Sequence, residues 1–223
     1  MNCIQNLDGH FGVSSHEYPI AANTAIERGA VVKFTNGKVV LSGESESGVI
    51  LGIAAEGHSG TADVFNTRSN GQSIMVYDNP GVIFECPVPT LTAASGSATT
   101  LVPASGDIYA NASDDTYNGA TLVLVKKAAG STNSDPLFTA SAVTDYAKSG
   151  TVLTKESGGT PYAGDVYEVY PAIGSGVCAL STKRKNAAIT AAGASALQVV
   201  GHDRARHCIR LMAVKHELAT DKS

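Results

Sequence analysis

The chain has 223 residues, and 16% of them are charged. Because soluble domains usually carry about 25% charged residues, we expect a neutral surface rich in hydroxyl groups. The 16 Lys and Arg against 20 Asp and Glu give a net charge of -4, which argues against a nucleic-acid partner, since phosphate binding needs concentrated positive charge. At this length the chain can form one large or two small domains, each with its own core.

Targeting signals and metal motifs are not evident in the sequence. The first residues, MNCIQNLDGHFG, lack the basic region and apolar run of a secretory signal, and no apolar run is long enough for a membrane helix. We therefore expect synthesis in a cytoplasm and no membrane partner. The four cysteines, Cys3, Cys86, Cys178 and Cys208, form no CxxC pair, so buried free thiols are expected rather than a zinc or redox site.

The first half of the chain predicts an arm followed by a small β-module. Residues 1–18 contain few apolar anchors and predict an extended N-terminal arm. Residues 19–89 predict a β-tulip or barrel-like module, because short β-branched runs are separated by glycine turns. Within it, Asn36-Gly37 lies between the runs 30–34 and 38–41 and supplies the positive φ angles of a tight hairpin.

The second half predicts a further β-rich, sandwich-like domain. Residues 90–105 are mostly Thr, Ala, Ser and Gly and predict a linker or long loop, after which residues 106–223 form the second domain. Two tetrapeptides of the pattern GD[IV]Y, at 106–109 and 164–167, leave open a duplicated hairpin unit or a chance similarity of strand starts. We expect a helix or a small-residue loop at 187–196. The predicted fold class is all-β.

No catalytic, cofactor-binding or metal-binding residue is predicted, although several groups were weighed. His202 and Asp203 are adjacent, but Gly174-Ser175-Gly176 lacks the spacing of a nucleophile elbow and predicts a flexible turn. His207 and His216 are nine positions apart, so on one strand they would face opposite sides and would not converge on a metal with His202. We therefore predict a protein that is not an enzyme and has no cofactor.

The remaining polar groups are interpreted as solvated turns and loops. Glu44 with Glu46, and Asp114 with Asp115, lack the ladder of oxygen ligands of a calcium loop and are expected to be solvated turn residues. The loop 57–60 lacks the lysine and helix of a phosphate-binding loop, and the basic cluster 183–185 is expected to be a solvated loop.

The order of the motifs in the first module resembles a known family. The segments TAIERGAVV at 24–32, NGKV at 36–39 and VILGIA at 49–54 resemble the head-decoration proteins of tailed bacteriophages, also called capsid auxiliary or cement proteins. The resemblance covers about residues 17–86. It implies a compact β-tulip or barrel that binds the outer surface of the major-capsid lattice in the virion, commonly as a trimer, and stabilises the head. On this reading the arm, residues 1–18, is hypothesised to contact the capsid.

Two other classes of function remain open from the sequence. A β-rich fibre or carbohydrate-binding module on a virion or cell surface would have a similar Gly- and Thr-rich composition and could occupy the second half. An enzyme would require a pocket in which His202 and carboxylates converge. Since one fold hosts many functions, these alternatives are separated by binding experiments rather than by composition.

Overall fold

A computed structural model describes residues 2–6, 14–22, 24–43, 48–58, 73–107, 114–133, 140–156, 159–180, 186–190 and 195–217. These residues form seventeen strands joined by turns and contain no α-helix, which confirms the all-β prediction. Accordingly, none of the described elements is a helix able to cross a lipid bilayer. The chain divides into two compact units: residues 1–87, 177–187 and 193–223 form the first, and residues 88–176 with 188–192 form the second.

The strands are numbered in chain order. They are β1 (Asn2–Asn6), β2 (His16–Pro19), β3 (Val31–Thr35), β4 (Lys38–Leu41), β5 (Gly52–Ala54), β6 (Ser73–Tyr77), β7 (Val82–Pro87), β8 (Thr90–Gly96), β9 (Thr100–Pro103), β10 (Thr121–Lys126), β11 (Ala140–Ala147), β12 (Val152–Lys155), β13 (Val166–Tyr170), β14 (Gly176–Leu180), β15 (Asn186–Thr190), β16 (Leu197–Asp203) and β17 (Cys208–Ala213).

The first unit contains a five-stranded antiparallel sheet in the order β2-β6-β5-β3-β4. The predicted hairpin is confirmed: β3 pairs with β4 around Asn36 and Gly37, whose φ angles are 52° and 72°, as a two-residue turn of this type requires. A parallel bridge between Ile20 and Val39 brings the chain just after β2 against β4, so the two ends of the sheet approach each other. The strands β2 to β6 therefore form a compact β-module.

The core of this module is aliphatic. It consists of Ile20, Ile26, Ala30, Val32, Val39, Leu51, Ala54, Ile74 and Val76, with Tyr18, Phe34 and Leu41 packed against it.

A six-stranded sheet completes the first unit in the order β1-β7-β17-β16-β14-β15. Its centre joins distant parts of the sequence, because β7 pairs antiparallel with β17, matching Phe84 to Leu211. The terminal hairpin of β16 and β17 is present, and its turn lies at 204–207. Thus residues 177–187 and 193–223 return to the first unit, whereas the sequence assigned all of 106–223 to a second domain.

The second unit is a closed barrel in the order β10-β11-β12-β9-β8-β13. Its strands alternate between buried and less buried residues, as in β10, where Leu122 and Leu124 are buried, so one face of each strand lines the interior. The core consists of Leu91, Ala93, Leu101, Tyr117, Ala120, Leu122, Leu124, Val143, Tyr146, Leu153, Tyr167 and Val169.

The predicted linker at 90–105 is wrong. This stretch contains β8 and β9, which pair with each other and with β13 and β12 in the barrel. Leu91, Ala93 and Leu101 point to the core, so the period of two is present, although small Ala, Ser and Thr residues weaken its hydrophobic contrast.

The prediction of an unpacked N-terminal arm is also wrong at both of its ends. β1 pairs with β7, and β2 pairs with β6, so main-chain hydrogen bonds order segments that have few apolar side chains. The segment 187–196, for which the sequence predicts a helix or a small-residue loop, begins in a strand. This strand is β15 (Asn186–Thr190), and residues 191–194 lie outside the described residues.

Candidate functional site

The buried carboxylate of Asp78 contacts two side chains of β2, those of His16 and Tyr18. Asp78 follows β6 and is 1% exposed. Its two oxygens lie 2.8 and 2.9 Å from Nδ1 of His16, and the Tyr18 hydroxyl donates to Oδ2. Burial, together with this hydrogen bond and the charge of Asp78, raises the pKa of Tyr18 to about 12. The side chains of His16 and Tyr18 thus hold β2 in place, in addition to its pairing with β6.

The C-terminal segment of the first unit approaches the same carboxylate. His216 is buried and forms a parallel bridge with Ile50. Burial lowers the pKa of His216, while the charge of Asp78 and a hydrogen bond with the backbone of Leu51 act in the opposite direction. Desolvation therefore favours neutral imidazole here.

A second buried carboxylate, Glu85 on β7, binds arginine side chains of β17 and of the β16–β17 turn. Glu85 on β7 is directly opposite Arg210 on β17. The two terminal guanidinium nitrogens of Arg206, in the β16–β17 turn, contact Glu85 at 2.8 and 2.6 Å. Arg210 lies 3.4 Å from Glu85 Oε1 and 3.3 Å from Asp203 Oδ2. This bidentate pairing of Arg206 with Glu85 fixes the conformation of the β16–β17 turn.

The cysteines beside this cluster are free and buried. Burial raises the pKa of Cys86 to about 12, and burial with the nearby charge of Glu85 raises the pKa of Cys208. The expectation of buried free thiols is confirmed for these two residues. These raised pKa values favour the protonated thiol at neutral pH, and the thiolate is the reactive form. The side chains of Cys3 and Cys178 lie outside the described residues.

A third buried carboxylate, Asp165, joins two loops of the barrel. Asp165 is 0% exposed and accepts hydrogen bonds from the amides of Ala128 and Tyr162 at 2.8 and 3.1 Å, the Ser131 hydroxyl at 3.1 Å and Nδ2 of Asn133 at 2.6 Å. Burial raises the pKa of Asp165, but these four hydrogen bonds together lower it. The ionised carboxylate is therefore the form that this site stabilises.

Lys155 lies close to these loops. It ends β12, is 4% exposed, and donates from Nζ to the carbonyls of Ala98 at 2.5 Å and Gly159 at 3.2 Å. Burial lowers the pKa of Lys155. Asn133 packs closely against Gly159, because a Cβ built at that glycine would be 1.9 Å from Asn133 Oδ1.

The Gly-Asp pairs that begin the two GD[IV]Y tetrapeptides, at 106–107 and 164–165, adopt similar conformations on either side of β8. Gly106 and Gly164 have φ angles of 91° and 92°, and each following aspartate accepts a backbone amide, Asp107 from Thr92 and Asp165 from Ala128. The neighbouring backbone pairs with β8 in both cases, through Ala104 to Thr92 and Gly164 to Ala93. The sequence signal that could have identified Asp165 is a glycine followed by an aspartate next to a strand. The sequence analysis interprets this pair only as part of a duplicated hairpin or as a chance similarity of strand starts.

The residues that the sequence singled out do not converge. His202 and Asp203 are on β16, and His207 is in the β16–β17 turn with φ of 52°. Within the described residues, no group of three or more His, Cys, Asp or Glu is placed to hold a metal ion.

The other weighed residues in the described part form turns. Asp114 accepts the amide of Lys148 at 2.7 Å, Asp115 accepts from Asn118 at 2.8 Å, and Ser175 donates its amide to Ala172 in the turn at Gly174. Glu44, Glu46, residues 59–60 and 183–185 lie outside the described residues.

Comparisons of the chain with protein-family models, with curated proteins and with solved structures find no match. The functional argument therefore depends on the geometry of the two units and on the resemblance of the motifs at 24–54.

Proposed function

We propose that this chain is a structural virion protein that binds the outer surface of an assembled phage capsid and stabilises it. The observation that carries the proposal is the compact five-stranded module formed by β2 to β6, because it coincides with the part of the sequence that resembles head-decoration proteins. The proposed partners are the major-capsid lattice and further copies of the chain, as a trimer. Nucleic acid and membrane are not proposed as partners, and no catalytic activity is proposed.

The edge of the six-stranded sheet supplies a specific contact for this function. Among the strands that the structure describes, β1 is the last on its side of the sheet, so its outer backbone groups face away from β7. An edge strand can bind a partner by adding main-chain hydrogen bonds to the partner's strand. We place the capsid contact at β1, which narrows the arm hypothesis to residues 2–6.

A contact as small as one edge strand is sufficient for retention on the capsid, because the capsid repeats the same binding site many times. A capsid presents many identical sites, and linking several weak contacts within one oligomer increases retention greatly without any new type of contact. The buried carboxylates Asp78 and Glu85 are satisfied by partners from several segments of the chain. Because these contacts already order the strands of the first unit, the unit loses little conformational freedom when it binds the capsid.

Co-sedimentation with undecorated heads of the source phage tests the proposal. We expect the full chain to saturate at a fixed symmetric ratio to the major-capsid subunit. Deletion of residues 2–6 should abolish retention while leaving the barrel and the five-stranded module folded. The matched control is Ile173→Ser, which changes the most exposed large apolar residue in the described part, at 62%, and should bind like the unaltered chain.

The co-sedimentation results distinguish the proposed decoration function from the proposed contact at β1. No binding by the full chain would reject the decoration proposal. Equal binding by the full chain and the deletion variant would keep the function and exclude β1 as its contact.

A further inference from the structure

Residues 214–217, named here the connecting segment, join the two sheets of the first unit. The segment follows β17, and its first amide donates to the carbonyl of Ala196, just before β16, at 2.9 Å. On its other side, Ile50 donates its amide to the carbonyl of Lys215 at 3.0 Å and accepts the amide of Glu217 at 2.9 Å. Because Ile50 lies just before β5, the connecting segment links the six-stranded sheet to the five-stranded sheet.

His216 lies at the centre of this connection. It is 2% exposed and forms a parallel bridge with Ile50, and it has a hydrogen bond with the backbone of Leu51. Ile50 and Leu51 are both 0% exposed. A proton added to an imidazole in these surroundings would create a charge that water cannot hydrate, which is costly while the segment remains in place.

The negative charge of Asp78 opposes the effect of burial on His216. Asp78 favours the protonated imidazole, but both of its oxygens already contact Nδ1 of His16. Burial is the larger effect, so the pKa of His216 is lowered on folding. In the described residues, the titratable and charged groups around His216 are Asp78, the side chains of His16 and Tyr18 that bind Asp78, and Lys215 and Glu217 on the connecting segment itself.

We propose that His216 makes the connection between the two sheets sensitive to acid: when its imidazole binds a proton, the connecting segment separates from Ile50 and the charged ring becomes hydrated. Histidine is suited to this role because its charge changes between about pH 5 and 8. Each sheet keeps its own strand pairing, since the hydrogen bonds that break lie outside the strands. The connection is separate from the proposed capsid contact at β1.

The direction of the pH dependence follows from the sign of the shift. The pKa of His216 is lower in the folded protein than its unfolded value of about 6.5, so the open segment binds the proton more tightly than the closed one. The connection is therefore at full strength above about pH 6.5, and it weakens as the pH falls toward and through the folded value.

Hydrogen exchange of the full, unaltered chain tests the inference. The amides of Ile50 and Glu217, which form the bonds that break, should lose protection between about pH 7.5 and 5.5, after correction for intrinsic exchange rates. We expect a loss of up to about tenfold, the limit for one histidine with an unfolded pKa of about 6.5. The amide of Leu51 is the internal control, because it donates to Val32 in the five-stranded sheet at 2.9 Å and should keep its protection. Unchanged protection at Ile50 and Glu217, or an equal loss at Leu51, would overturn the inference.

Three variants identify the group that binds the proton. His216→Gln removes the titrating group, so protection at Ile50 should be the same at both pH values. His207→Gln is the matched control, because this histidine is exposed in the β16–β17 turn, and the variant should respond like the unaltered chain. His16→Gln should also keep the response, which separates His216 from the other histidine near Asp78. A loss of protection in acid that persists in His216→Gln, or that disappears only in His16→Gln, would contradict the role of His216.

Discussion

Buried carboxylates act at the scale of single residues to fix loops and strands. Asp78, Glu85 and Asp165 are each at most 6% exposed and each bind groups from other segments of the chain. Burying a charge is costly unless hydrogen bonds replace its hydration. Each site therefore constrains the conformation of the segments around it.

Asp165→Asn should destabilise the barrel by about 3 kcal/mol at neutral pH, because the new amide group presents donors to backbone amides that need an acceptor. The pKa of Asp165 is lowered on folding, so its stabilisation is present above the unfolded pKa of about 3.9 and is lost as pH falls through the folded value. Urea unfolding should show the difference between the two proteins at pH 7 and its decrease in acid.

The exposed aspartate of the other GD[IV]Y turn is the control for this prediction. Asp107 accepts the amide of Thr92 but is exposed, so Asp107→Asn should cost less. Equal losses at the two positions, or a difference that persists in acid, would contradict the role given to Asp165.

Gly52→Ala should destabilise the first unit strongly, by more than about 2 kcal/mol, because the methyl group cannot fit without moving backbone. A Cβ there would lie 2.0 Å from the Tyr77 carbonyl oxygen. Gly37→Ala is the matched case: Gly37 has φ of 72° with nothing within 4 Å of a Cβ, so it should cost about 1 kcal/mol from backbone strain alone. Thermal melts that rank the two variants the other way would refute the packing argument.

At the scale of elements, local turn chemistry was predictable and small-residue strands were not. Asn36-Gly37 defines the β3–β4 hairpin within a few residues, and β6 and β7 follow from alternating or continuous apolar runs. By contrast, β8 presents Ala93 to the core next to exposed Thr and Ser, so its pattern resembles a linker.

Strands that depend on distant partners were also missed. β1 and β2 have few apolar residues, and their order comes from β7 and β6, which are far away in the sequence. The buried contact between Asn133 and Asp165 could not be predicted for the same reason. These two residues are 32 positions apart, and their spacing matches no local motif.

Tyr18→Phe should loosen β2 specifically. The variant loses the hydroxyl that donates to Asp78, at a cost of about 1 kcal/mol, so amide exchange should accelerate at 16–19 while the barrel is unchanged. The pKa of Tyr18 is raised to about 12, so its contribution is present below the unfolded value of about 10 and is lost as pH rises through 12.

The alkaline range provides a second measurement of the same contact. The stability difference between the unaltered chain and Tyr18→Phe should decrease between about pH 10 and 12. Tyr162→Phe is the control, because this ring is 47% exposed and should affect neither exchange at β2 nor the alkaline transition. Uniformly faster exchange across the first unit in Tyr18→Phe would contradict a local role.

At the scale of the whole molecule, the barrel is inserted into the sequence of the first unit. The chain leaves the six-stranded sheet after β7 and returns to it at β14. Sequence patterns predicted two β-rich regions but not this return, because pairing of β17 with β7 requires contact between residues more than half the chain apart.

Residues 88–176, expressed alone, should fold into the barrel. A closed sheet has no unpaired edge, and this one contains its own apolar core. We expect dispersed amide resonances and a cooperative melt. A spectrum typical of an unfolded chain would show that the barrel depends on the first unit.

Imaging of undecorated heads saturated with the full chain by electron cryomicroscopy tests the decoration proposal most directly. The account predicts added density at every symmetry-equivalent position on the outer capsid surface, large enough for the five-stranded module and continuous with the lattice at β1. A bare outer surface at saturating protein concentration would contradict it.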